Sequence, residues 1–175
     1  AFPVLNEETK KKMEEKILEV KAQKDSVGGI IECAVVGVPC GIGEPIFDNI
    51  ESKISSLIFG IPGVKGVEFG GGFELSKKRG SICNDNFTVS NGVIKTTTNN
   101  SGGILGGISS GMPIVFKVAF KPTPSIAKEQ MTVNLKSGLT EKINIQGRHD
   151  PCIAVRAGAV VEAAAAIAIL DLIKE

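Results

Sequence analysis

Between Asn99 and Gly111, five of thirteen residues are glycine, in the run Asn-Asn-Ser-Gly-Gly-Ile-Leu-Gly-Gly-Ile-Ser-Ser-Gly. Glycine lets another group approach the backbone closely and leaves amide N–H groups free to bind oxygens. No Gly-Lys-Ser/Thr follows, so this is not a Walker loop, and the spacing is not that of a dinucleotide-binding GxGxxG turn. Two readings stand: a loop that cradles a ligand, or a sharply bent strand edge.

The flanking sequence sets the frame for that run. Asn6 is placed to cap a helix over about Glu7–Lys24, with Glu7 and Glu8 in its first turn and Lys21 and Lys24 in its last. Its apolar stripe, Met13, Ile17 and Val20, is narrow. Gly28-Gly29 opens a strand over Ile30–Val38, which Pro39 ends. A turn at Gly41–Pro45 leads to a second helix over about Pro45–Phe59, stopped by Gly60 and Pro62. Val64–Phe69 reads as a short strand. Phe87–Ser90 and Val93–Thr96 flank Asn91-Gly92, a strong two-residue hairpin signal. Ile114, Phe116, Val118 and Phe120 alternate with more polar neighbours, as a half-buried strand does. A further pair is expected at Thr132–Leu135 and Lys142–Ile145, and a last helix over Ala159–Ile173, whose alanine run suggests close packing on all sides. Hairpins between terminal helices predict an α+β fold of antiparallel sheet layers with packed helices, in a single domain over residues 1–175.

Composition narrows the partners. Twenty basic and nineteen acidic residues leave a net charge of +1, which offers no footprint for nucleic acid or an anionic membrane. The longest strongly apolar run, Ala163–Leu170, falls far short of the roughly 20 residues of a membrane span, and the charged start lacks a signal-peptide core, so a cytoplasmic protein is expected. Cys33, Cys40, Cys83 and Cys152 are scattered without a CxxC pair, and His149 is the single histidine, so no metal site is expected and the cysteines read as reduced and mostly buried.

Two other segments carry polar groups in suggestive order, and two smaller features stand beside them. Lys121-Pro-Thr-Pro-Ser-Ile126 offers a cation and two hydroxyls on a stretch stiffened by two prolines, either a polar ligand site or a rigid turn before a short helix. Gly147-Arg-His-Asp-Pro-Cys152 could bind an anion and move a proton, or form a local salt bridge at a turn. In an extended segment His149 would point away from Arg148 and Asp150. Gly66–Phe73 needs bare backbone, as a bulge does, and Gly80-Ser81 with Asn84-Asp85 reads as a mobile polar loop.

Together, Gly41–Pro45, Gly60–Gly70, Asn100–Ser109, Lys121–Ile126 and Gly147–Cys152, followed by Arg156 and Val161-Glu162-Ala163, resemble segments that occur in this order in chorismate synthases. The resemblance runs over nearly the whole chain from Gly28. It implies a β-α-β sandwich and a carbon-oxygen lyase that makes chorismate from 5-enolpyruvylshikimate 3-phosphate by 1,4-trans elimination of phosphate and a ring proton. It also implies reduced FMN without net redox change, NADPH where an enzyme reduces its own flavin, and a homotetramer. By motif, Pro62, Gly63, Gly106, Lys121, Pro122, Thr123, Pro124, Ser125 and Arg148 would contact the flavin. Arg148 and Asp150 would face the substrate, with Asp150 assisting proton movement. Family members are longer, with active-site histidines and arginines in an N-terminal part that nothing here matches. This chain therefore reads as a C-terminal portion, inactive alone.

Overall fold

The computed structural model describes Phe2 and residues 4–174. They form two compact units. The first comprises Ala1–Gly29 and Phe120–Arg156; the second comprises Ile30–Ala119 and Ala157–Glu175.

In the first unit, α1 (Glu7–Ala22) starts where Asn6 accepts a hydrogen bond from the Thr9 N–H at 3.0 Å. Only Val20 of this helix is buried. Its outer face carries the ion pairs Lys10–Glu7, Lys12–Glu8 and Lys16–Glu19, whose exposure leaves them little weight in stability. The loop after α1 is tied down by the Val27 N–H donating to the Pro151 carbonyl at 2.8 Å and the Ser26 hydroxyl donating to the Thr123 carbonyl at 2.6 Å. An antiparallel hairpin, β8 (Gln130–Val133) with β9 (Thr140–Ile143), completes the unit. Its strands sit two residues earlier than the alternation suggests. Asn134, Ser137 and Gly138 close the turn: the Gly138 N–H donates to the Asn134 carbonyl, and the Asn134 side chain accepts from Lys136 and Ser137.

The second unit centres on a three-stranded sheet in the order β1-β7-β2, with β1 at Gly29–Val35, β2 at Val64–Phe69 and β7 at Ile114–Phe120. The central strand β7 buries Ile114, Phe116 and Val118 and leaves Val115, Lys117 and Ala119 half-covered, as its alternation predicts. From α2 (Ile50–Phe59), Ile50, Ile54 and Ile58 are wholly buried at a spacing of four. From α4 (Ala154–Lys174), Val161, Ala165, Ala168, Ile169 and Leu172 are buried. Burying each isoleucine contributes roughly 1.5–3 kcal/mol. The two helices are near enough for Lys53 to reach Asp171 at 3.5 Å.

Three further boundaries differ from the sequence reading, one being the end of β1 at Val35 rather than Val38. Helix α2 begins at Ile50 rather than near Pro45, because Asn49 is its cap, accepting from the Ser52 N–H at 2.6 Å. Helix α4 begins five residues early, at Ala154. Its alanines pack on one side only: Ala165 is buried while Ala163 and Ala166 are exposed. Gly158 lies inside α4 with no atom within 4 Å of where a Cβ would stand. Gly158→Ala should therefore raise stability by about 0.5–1 kcal/mol, measured as a higher urea midpoint; a lower midpoint would mean that this space is needed.

Among the remaining elements, Gly80–Cys83 forms a short helix (α3). The hairpin of β3 (Phe87–Ser90) and β4 (Val93–Thr96) turns at Asn91 and Gly92, both with positive φ. All four cysteines are free thiols, but only Cys152 is buried, and Cys40 is exposed. Burial pushes the Cys33 thiol up, with the Glu162 carboxylate adding to the effect. No described helix is long and apolar enough to cross a membrane.

Candidate functional site

The glycine-rich run lies in the second unit, and its geometry answers much of the question its composition raises. Gly102 has φ +67°, and a Cβ there would stand 2.5 Å from the Gly70 nitrogen and 2.7 Å from the Val115 oxygen. Gly70, in turn, would meet the Asn100 carbonyl. These close approaches, rather than a bulge, explain the bare backbone around Gly70. A Cβ on Gly103 would meet the Pro113 carbonyl. Beyond them β5 (Ile104–Leu105) and β6 (Ile108–Ser109) form a minimal hairpin whose two turn residues, Gly106 and Gly107, both have positive φ, as a type I′ turn requires. Gly107 presses against Asn49, whereas Gly106 has nothing within 4 Å. Gly106 is thus the hairpin glycine whose open side faces free space.

Asp85 holds this segment in place, and local sequence patterns gave no sign of it. The residue is 8% exposed. Its carboxylate accepts from the Thr98 hydroxyl at 2.6 Å, the Asn100 N–H at 2.7 Å, the Ser101 N–H at 2.8 Å and the Asn100 side-chain amide at 3.1 Å. Burial opposes ionisation, but the donors from Thr98, Ser101 and Asn100 outweigh it and hold the carboxyl at about 2. The expected mobile loop is instead an anchor.

Pro62 and Gly63 follow the C-terminal end of α2, and Gly63 has φ +93°. The Gly107 carbonyl accepts from the Ile50 N–H at 3.1 Å, which seats the Gly106–Gly107 turn at the other end of the same helix. Ten residues of α-helix rise on the order of 15 Å. Helix α2 thus separates the Gly106–Gly107 turn at its start from Pro62 and Gly63 beyond its end.

The first unit contains the other candidates. Lys121 and Arg148 are exposed and have no hydrogen-bonded or ion-paired partner among the described residues. Between them in sequence stands Thr123, whose Oγ1 is buried without any hydrogen-bond partner. Ser125 Oγ lies 3.2 Å from His149 Nδ1, and His149 Nε2 lies 3.0 Å from the Ile145 carbonyl. Asp150 accepts from the Cys152 N–H at 3.0 Å through one oxygen and from the Arg156 guanidinium at 2.5 Å through the other. His149 and Asp150 thus turn to different neighbours, and Arg148 to none among the described residues. The segment after Ser125 continues without a helix. Asp150 and Arg156 also border an apolar cavity of about 430 Å³ walled by Ile17, Leu18 and Val155.

An orphaned hydroxyl, two unpaired cations and a carboxylate within one unit are the equipment of a site for a polar, anionic ligand. The family model of chorismate synthase matches residues 1–173. The chorismate synthase of Chitinophaga pinensis is 53% identical over 150 residues, covering 86% of this chain and 45% of the relative. That of Korarchaeum cryptofilum is 49% identical over 166 residues, covering 95% and 46%. A crystal structure of chorismate synthase superposes with a TM-score of 0.76 at 32% identity, covering 94% of this chain and 43% of that one. The chain belongs to the chorismate synthase family, and it spans less than half the length of these relatives.

Proposed function

We propose that this chain supplies the C-terminal part of a chorismate synthase. The whole enzyme would eliminate phosphate from 5-enolpyruvylshikimate 3-phosphate with reduced FMN, as a cytoplasmic homotetramer, with NADPH serving only if it reduces its own flavin. The observation that carries this reading is the 53% identity to the Chitinophaga enzyme.

The residues present suit an anionic cofactor. A buried hydroxyl without a partner costs about 1–3 kcal/mol, and Thr123 Oγ1 is such a group; a ligand oxygen or N–H would satisfy it. Lys121 and Arg148 are free to meet phosphate or carboxylate charge. Pro122 and Pro124 fix the backbone between the three polar positions and lower the entropy lost on binding. Reduced FMN, when bound, supplies electron density as phosphate departs. Asp150 uses two of its roughly four acceptor positions on Cys152 and Arg156, and we assign the others to assisting proton movement near the flavin N5. Arg148 would hold a substrate anion. Pro62, Gly63 and Gly106 remain flavin-contact candidates on family likeness.

The test is a chimera in which this chain replaces the matching portion of the Chitinophaga enzyme, assayed anaerobically for chorismate with reduced FMN. Turnover by the chimera and none by this chain alone is the expected result. A folded but silent chimera would favour a noncatalytic binding module. Within the chimera, Thr123→Val should leave stability unchanged or raise it by about 1 kcal/mol while weakening reduced FMN roughly tenfold. Unchanged flavin affinity would remove Thr123 from the site.

A further inference from the structure

His149 is the single histidine of the chain, and both of its ring nitrogens are engaged. Nε2 lies 3.0 Å from the Ile145 carbonyl oxygen, and Nδ1 lies 3.2 Å from Ser125 Oγ. A carbonyl oxygen only accepts, so Nε2 carries the proton. In the neutral ring Nδ1 then has a lone pair and no proton, and the hydroxyl facing it must donate. Ser125 therefore spends its one proton on His149. What its oxygen offers elsewhere is lone pairs.

We propose that His149 is a positioning residue that takes the Ser125 hydroxyl proton at Nδ1, so that Ser125 meets a ligand as a hydrogen-bond acceptor. Its ligand partner is then an N–H or O–H group, such as a ring N–H of a reduced flavin or a ribityl hydroxyl, and not a bare phosphate oxygen. Anionic oxygens are left to Lys121, Arg148 and the Thr123 hydroxyl. The identity of that ligand as a flavin rests on the function proposed above; the direction of the Ser125–His149 hydrogen bond does not.

The ring acts through Ser125 rather than on the ligand, so the test separates its two ends. With one histidine, the imidazole nitrogen resonances of the ¹⁵N-labelled chain need no assignment. At pH 8 the Nε2–H tautomer is expected, and Ser125→Ala should move the Nδ1 resonance while leaving Nε2 in place. An Nδ1–H tautomer, or an Nδ1 resonance indifferent to Ser125→Ala, would overturn the proposal without reference to any flavin. The second arm measures reduced-FMN affinity in the Chitinophaga chimera. Asparagine reaches about as far as Nδ1, and glutamine about as far as Nε2. His149→Asn should bind within threefold of the parent. His149→Gln and Ser125→Ala should each bind about tenfold more weakly, the effect of one hydrogen bond. Melting curves check that all are folded. Parent-like binding by His149→Gln beside a weak Ser125→Ala, or equal loss in His149→Asn and His149→Gln, would refute the orienting role. A chimera that binds no flavin at all would sink the proposed function, and the ring spectrum would still decide the geometry.

Discussion

Gly102→Ala should cost about 4–6 kcal/mol and bring the second unit close to unfolding. The new methyl would stand 2.5 Å from the Gly70 nitrogen, 2.7 Å from the Val115 oxygen and 2.9 Å from the Gly70 Cα. All three are backbone, so no side chain can swing aside. The Gly70 N–H donates to the Val115 carbonyl at 2.8 Å, and the Val115 N–H donates to the Gly102 carbonyl at 3.1 Å. Pushing Gly70 away breaks the first bond and strains the second, at about 1 kcal/mol each. Overpacking adds roughly 1–3 kcal/mol, and a left-handed alanine about 1 more. Gly106→Ala is the control. Its φ is +62°, but nothing stands within 4 Å, so only the left-handed cost of about 1 kcal/mol applies. Urea unfolding measures both. Equal midpoints for the two variants would show that the crossing at Gly102 relaxes without strain.

Asp85→Asn carries the second large effect, about 3 kcal/mol. The amide keeps the shape but turns an NH₂ toward groups that are themselves donors, Thr98, Asn100 and Ser101. Charge-assisted bonds of this kind are worth roughly 1.5–3 kcal/mol each. The parent chain should also show a specific acid response. Its Asp85 carboxyl sits at about 2 in the folded state against an ordinary 3.8. A lowered folded value means that the contribution is complete above about pH 4 and is lost as the pH falls toward 2. The linked stability is on the order of 2 kcal/mol. Denaturation midpoints between pH 5 and pH 2 should fall for the parent and stay flatter for Asp85→Asn. Parallel curves would mean that Asp85 does not hold its proton so weakly.

These two sites mark where sequence reading stops. The elements built from local rules were legible. Asn6 caps α1 because its side chain reaches Thr9, three residues on. Asn91-Gly92 turns a hairpin because both residues accept positive φ. Strand β7 alternates as its sequence does. Asp85 was read as loop because its partners begin thirteen residues away, a distance at which no periodicity speaks. The start of α2 was misplaced because Pro45 suits a first helical position as well as it suits the turn it occupies, and only the bond from Ser52 to Asn49 distinguishes them. The start of α4 was read late because the reading followed the alanine run, which begins after the first turn of the helix. At the candidate site, alternation already turned His149 away from Arg148 and Asp150, but the partners themselves were not legible. Arg148, His149 and Asp150 are consecutive, yet His149 joins Ser125, twenty-four residues away, and Asp150 joins Arg156. The Asp150–Arg156 pair had a faint signal, an acidic residue before a helix and a basic one in its first turn. The Ser125–His149 pair had none.

The two hairpins have a consequence for the chain as a colloid. Phe87, Val89, Val93 and Ile94 lie exposed on one, and Met131, Val133, Leu139 and Ile143 on the other. Exposed apolar strands template pairing with other chains unless charge or a covering element prevents it. A net charge of +1 supplies almost no repulsion between copies. These two hairpins are thus among the exposed apolar surfaces that favour association between copies, and a charge placed on Val89 or Val133 should raise the concentration at which the chain stays dispersed without touching the core.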